Sequence, residues 1–355
     1  MKFRYYFRIY YSIPPWIVYS IIFGILVLVY QYDYLIYSHV PGNNPDHPLG
    51  WWEWVDQGRY LKSSQGFYEG IYSLSHHQFH VPLYPLIGSI LLSITDSHSY
   101  WLPNLLLLVG YSLLFVRLIS RYVGLIPAGF ILLLGLFGYE IIRFQWVIPW
   151  TTTLAAFLMM AAIYLFDRFI RLRSAGELSS GRLITNAFLF GLSMGLIIPT
   201  RPGDVVILAP FALAYAYLVL IDIRRSQASK NSLYVVLSGI VGVLIPVSIW
   251  LAFNQVTYGG FFEVPYFKGA INSGFFPYEL PNKIYSHFFD SYTMYGETEQ
   301  DWSSRIPILT IPLVFMLSFI FVRVTLVFRL LPKLCRQVTK YSREVKIYHI
   351  NNANY

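Results

Sequence analysis

Residues 50–61 read GWWEWVDQGRYL and place a carboxylate, Asp56, among Trp51, Trp52, Trp54 and Tyr60, three residues before Arg59. A carboxylate positioned beside a hydroxyl can take its proton as a new bond forms. Trp and Tyr favour the headgroup level of a bilayer, where their rings are half apolar and half wet. Trp54, Gly58 and Leu61 share one side of a helix, so the spacing predicts a short interfacial helix anchored by Trp51, Trp52 and Tyr60. Partial loss of water would raise the pKa of Asp56 and Arg59 at i+3 would lower it; the sequence leaves that balance open. The plainer alternative is a solvated Asp–Arg pair on an amphipathic helix.

Further along, His76, His77 and His80 precede Pro82, Leu83, Tyr84 and Pro85. Three imidazoles can hold a divalent metal with an open position, yet this spacing matches no closed structural site. Hydrogen bonding to headgroups or backbone is the competing reading, and no cofactor is expected to be required. Arg201 interrupts an apolar stretch, where its guanidinium fork suits bidentate phosphate binding or, alternatively, snorkelling to the interface. Lys268 beside Tyr266 is the second phosphate candidate, and Arg143 the third unless it neutralises Glu140. Asp204 is expected to cap the helix that follows it.

These residues must be positioned by a membrane-embedded chain. Of 355 residues 56% are hydrophobic and 12% charged, where a soluble chain would carry about a quarter charged; the mean hydropathy is +0.50. Continuous apolar runs near 13–32, 101–119, 124–142, 149–166, 184–200, 204–222, 233–254 and 305–328 predict an all-α polytopic protein with eight spans. The runs do not alternate as barrel strands would. A ninth run, 81–95, is too short to cross and is read as interfacial or re-entrant. The amino-terminal run follows Lys2, Arg4 and Arg8 with no small-residue cleavage site after it, and reads as an uncleaved anchor. The single cysteine, Cys335, excludes an internal disulfide framework.

Charge sets the orientation. With 81–95 not crossing, the termini and the loops holding Arg117/Arg121, Arg168/Arg171/Arg173/Arg182 and Arg224/Arg225/Lys230 share one side. Together with Lys2, Arg4, Arg8 and the seven basic residues from Arg323 to Lys346, that side collects 19 of the 26 Lys and Arg. The positive-inside rule makes it the cytoplasm. The net charge of +8 therefore reflects topology and not a nucleic-acid partner. Outer loops are expected at 33–100, 143–150 and 255–304, within a single domain over 1–330. A basic cytoplasmic tail, 331–355, follows and lies on the anionic inner leaflet.

The order of anchor helix, outer loop with W-x-x-D-Q-x-x-Y, then His80-Val81-Pro82-Leu83-Tyr84-Pro85 resembles the membrane glycosyltransferases of the C-type fold. Within them it is similar to the protein O-mannosyltransferase and lipid A aminoarabinose transferase branch. Thr200-Arg201-Pro202 looks like the Arg-Pro element between two middle spans of these enzymes. The stretch NQVTYGGFFEVPY, 254–266, resembles the segment that opens a later outer loop. The similarity runs in order over about residues 1–330. Val81 replaces a commoner proline, and Thr151, Thr152 and Thr153 stand where relatives usually carry an acid, leaving Glu140 as the nearest substitute.

The resemblance implies transfer of a sugar from a polyprenyl-phosphate carrier to an acceptor hydroxyl (lipid, glycan or protein) at the outer face. Asp56 would be the base and Glu140 a secondary acid. Arg59, His80, Tyr84, Arg143, Arg201, Tyr266 and Lys268 would surround donor and phosphate. Displacement would be a single inverting step, because a phosphate ester leaves without needing a proton donor. Two other readings stay open: a polysaccharide polymerase or ligase using lipid-linked oligosaccharide, and a lipid flippase or transporter. The absence of a visible inverted repeat weighs against the last.

Overall fold

In the computed structural model the described residues are 14–37, 55–71, 81–95, 99–138, 140–175, 181–224 and 229–261, all inside one compact unit, Met1–Asn272. They form ten α-helices, with no strand among them. The order is α1 Pro15–Tyr37, α2 Val55–Glu69, α3 Leu83–Thr95, α4 Trp101–Val123, α5 Leu125–Phe137, α6 Glu140–Val147, α7 Thr151–Ser174, α8 Gly181–Ile197, α9 Val205–Arg224 and α10 Ser229–Tyr258.

Among the described residues five helices are long and apolar enough to cross a membrane: Pro15–Ile36, Trp101–Val123, Thr151–Ser174, Pro202–Ile223 and Ser232–Tyr258. Two further expected spans fall on helices of lesser length, α5 with 13 residues and α8 with 17. The eighth run, 305–328, and the tail lie outside the described residues. The flanks are apolar and uncovered: Leu213, Tyr217 and Leu220 on α9, and Leu244, Ile249 and Val256 on α10, are exposed. Side chains of this kind facing outward along whole helices need hydrocarbon around them. The protein is thus an α-helical membrane protein.

Glycine and proline divide the elements. Gly124, at φ 92°, ends α4 through its amide bond to Ser120 and turns the chain into α5, a backbone state that favours glycine. Pro149 and the extended Trp150 separate α6 from α7. Between α8 and α9 a single 3-10 turn, Pro202–Asp204, carries the chain out of Arg201.

The closest packing joins α8 and α10. Gly191 on α8 meets Gly239 and Gly242 on α10 so tightly that a Cβ on Gly191 would lie 2.0 Å from the Gly239 carbonyl oxygen, and one on Gly242 would lie 2.3 Å from that of Phe188. Pro246 fills the space beside Gly195. Small residues here let two backbones touch, which is how helices associate where water offers no hydrophobic drive. Ser238 adds a hydrogen bond across the seam to the Ile184 carbonyl at 2.8 Å.

Polar contacts define two ends of the bundle. At one, Arg121 at the end of α4 pairs with Asp167 of α7, which also takes Arg171 at 3.0 Å. At the same end Arg173 grips Asp222 of α9 through two bonds of 2.6 Å. The carboxyl ends of α4, α7 and α9 therefore lie together, as the charge count of their loops expects. At the other end lie the start of α7, the Arg201 segment, and the short helices α2 and α3.

Candidate functional site at one end of the bundle

α3 has 13 residues, about 20 Å at 1.5 Å per residue. It packs along α2, where Gly88 admits Ser64: a Cβ at position 88 would sit 2.6 Å from the Ser64 hydroxyl. The sequence places a short helix over residues 52–61; among the described residues α2 runs from Val55 and continues past that stretch to Glu69. Its polar second half carries the small buried residues Ser63, Ser64 and Gly66, of which Ser64 meets Gly88 of α3.

Three tyrosines lock this pair onto the bundle. Tyr84 stacks on Tyr100 with ring centroids 4.4 Å apart and meets the edge of Tyr60 at 5.5 Å; such pairs add about 0.5–1.5 kcal/mol each beyond their buried area. The Tyr84 hydroxyl donates to Asn104 Oδ1 at 2.9 Å, and the Asn104 amide donates to the Ile148 carbonyl at 3.1 Å. Ser64 and Tyr100 hydroxyls meet at 2.6 Å. The Tyr60 hydroxyl lies 3.4 Å from Thr151 Oγ1, at the first residue of α7. The amide of Leu83 bonds to the Pro199 carbonyl at 3.2 Å, tying the start of α3 to the segment that leads into Arg201.

Burial, reinforced by the neighbouring Tyr100, holds the Tyr84 phenol well above its ordinary range, and burial does the same for Tyr100. Both stay neutral and act as hydrogen-bonding struts. Tyr84, expected among the substrate-binding residues, is fully enclosed with its hydroxyl spent on Asn104. Tyr60, expected as a headgroup anchor, is 4% exposed and belongs to the core. Both placements have one cause: α2 and α3 turn Tyr60 and Tyr84 to the bundle.

A cavity of about 420 Å³ opens beside this clamp, a size usual for small-molecule sites. Gln145, Thr152, Thr153, Arg201 and Asp204 form its polar part, and Met159, Met160 and Ile163 of α7 its apolar part. Thr152 donates to Gln145 Oε1 at 3.3 Å, and Thr153 to the Gln145 carbonyl at 3.0 Å, so the start of α7 is fastened to α6.

Arg201 has an exposed side chain at the cavity, with its Nε 3.6 Å from an Asp204 oxygen. That pairing was not expected. The carboxylate of Asp204 reaches back to Arg201, and no cap from it to the amides of α9 is found among the described residues. Arg143 is also placed differently from expectation: it faces Asp33 of α1 at 3.6 Å, with Asp33 only 3% exposed and Arg143 29%. The two lie 110 positions apart in sequence and meet because α6 folds back against α1.

Asp33→Ala leaves the Arg143 guanidinium without this counter-charge. The expected loss is about 2 kcal/mol, below the roughly 3–5 kcal/mol of a fully buried pair because Arg143 keeps contact with solvent. Thermal unfolding in detergent checks this. The double variant Asp33→Ala/Arg143→Ala should be less destabilised than the sum of the two single variants.

The remaining site residues divide as follows. Asp56 and Glu140 lie in the first turn of α2 and at the first residue of α6, but their side chains lie outside the described set. Arg59 is described, half-buried on α2. His76, His77, His80, Tyr266 and Lys268 lie outside the described residues. Among the described residues no cluster of His, Cys, Asp or Glu could hold a metal ion. Asp33 and Asp204 are the acids the sequence did not single out for the site; neither sits in a motif, and only the tertiary pairing distinguishes them. No protein-family model, no curated protein and no solved structure matches the chain.

Proposed function

We propose that the chain is an integral membrane glycosyltransferase that moves a sugar from a polyprenyl-phosphate donor to an acceptor hydroxyl at the extracytoplasmic face. It would have eight spans, both termini in the cytoplasm, and the α2–α3 end of the bundle outside. The observation that carries the proposal is the convergence at that end. The first turn of α2, with Asp56, lies one helical turn before Tyr60, Tyr60 touches Thr151, and Thr152 and Thr153 wall a cavity shared with Arg201.

In this reading the donor places its phosphate at Arg201 and its prenyl chain along Met159, Met160 and Ile163. The acceptor oxygen attacks the anomeric carbon while its proton passes to the Asp56 carboxylate. The bond from that carbon to the phosphate oxygen breaks, and the released phosphate keeps the electron pair beside the guanidinium. One base and one cation suffice, because the leaving group is a weak base already.

The test is turnover in proteoliposomes. Purified protein is given undecaprenyl-phosphate mannose and undecaprenyl-phosphate arabinose, radiolabelled in the sugar, with a membrane extract as acceptor source. Sugar transfer with release of undecaprenyl phosphate is the expected result. Movement of intact labelled lipid across the bilayer without any glycosyl product would instead make the protein a flippase.

A further inference from the structure

Resting on the site just proposed, we infer that Asp204 is a specificity residue that distinguishes the sugar-loaded carrier from the spent one. Asp204 lines the cavity together with Arg201, one 3-10 turn away along Pro202–Asp204. Its carboxylate lies 3.6 Å from Arg201 Nε, outside hydrogen-bond range, and makes no hydrogen bond among the described residues. Its side chain is 15% exposed while that of Arg201 is 45% exposed, so the acid sits deeper and the base nearer the mouth. An ionised carboxylate only accepts, with room for about four hydrogen bonds. Across the same cavity Gln145 uses its Oε1 to accept from Thr152, which leaves its amide hydrogens turned to donation.

A cation, an acceptor-only acid and an amide donor around one space match a ligand in which a phosphate adjoins several hydroxyls. They match a bare phosphate poorly. The donor is a phosphodiester with a single negative charge, and its sugar hydroxyls can donate to Asp204. The spent carrier is a phosphomonoester of about −1.5 to −2 charge with no hydroxyls to offer. Asp204 attracts the first through hydrogen bonds and repels the second through like charge, and selectivity is the difference of the two. The pair thereby favours release of the used carrier and entry of a loaded one.

The experiment measures binding of tritiated undecaprenyl phosphate and of undecaprenyl-phosphate mannose to the full-length protein, wild type against Asp204→Asn, Asp204→Glu and Asp204→Ala. Wild type should prefer the loaded lipid. Asp204→Asn should bind the spent carrier roughly five- to twentyfold more tightly, the scale of removing one like charge a few ångström away in a water-filled site. Asp204→Glu should keep the wild-type ratio, and Asp204→Ala should lose preference while remaining folded by size-exclusion profile. A ratio unchanged in Asp204→Asn and Asp204→Ala, with both lipids still bound, overturns the role of Asp204 and leaves the transferase reading standing. Failure of wild type to bind either lipid overturns both.

Discussion

Asp56→Asn is expected to lower sugar transfer by about 10² to 10⁴-fold while leaving the protein in the membrane at normal yield. The substitution keeps the shape of the side chain and removes its capacity to take a proton at neutral pH. It should not disturb the tyrosine clamp. Tyr60, Tyr84, Tyr100 and Asn104 hold α2 to the bundle through groups located at least one turn further along the helix or on other elements. Initial rates with the labelled donors, compared at saturating acceptor, measure the loss in the chemical step. A mere weakening of donor binding would raise KM and spare kcat. Wild-type kcat in this variant would remove Asp56 from the mechanism.

The second large effect concerns the fold. Gly191→Ala asks for a Cβ 2.0 Å from a backbone carbonyl oxygen, and no side-chain rotation relieves that contact. The α8–α10 seam must open, at a cost of about 1–3 kcal/mol for one added methyl in a tight interface. Gly191→Leu should prevent the two helices from associating at all. The comparison is Gly135→Ala on α5, where a Cβ would meet nothing within 4 Å. Fluorescence-detected size exclusion after heating should show a fall in the melting point of Gly191→Ala, no folded peak for Gly191→Leu, and little change for Gly135→Ala.

What the sequence discloses follows physical scale. Apolar runs are long-range averages, and the helices fall where those averages rise: α1, α4, α7, α9 and α10 are each visible as a run. The expectation that 81–95 does not cross rests on its length and on the Arg-rich loops downstream. The start of α2 is marked by the Trp-rich stretch ahead of it. Its continuation through Lys62–Glu69 is not marked, because Ser63, Ser64 and Gly66 read as loop residues until the fold buries them and sets Gly88 of α3 against Ser64. Tyr60 looks like an interfacial anchor for the same reason. A tyrosine at a membrane surface and one in a polar core carry the same letter, and only the partners Thr151 and Tyr84 decide.

Pairings between distant residues are the least legible. Asp33 and Arg143 belong to runs that individually explain themselves as span ends, and nothing local links them. Asp204 reads as a helix cap because Asp is among the preferred N-cap residues and a long apolar run follows it. The structure turns its carboxylate toward Arg201 and the cavity. The Gly191/Gly195 and Gly239/Gly242 spacings are present in the sequence, but glycines are frequent in membrane helices, and the partner helix gives them meaning.

The most direct measurement is mass spectrometry of the carrier lipids in cells that lack the protein. Accumulation of polyprenyl phosphate bearing one sugar, cleared by the wild-type gene and not by Asp56→Asn, is the predicted result. Carrier lipids identical to those of the parent cells, or a build-up of whole oligosaccharide units on the carrier, would contradict it.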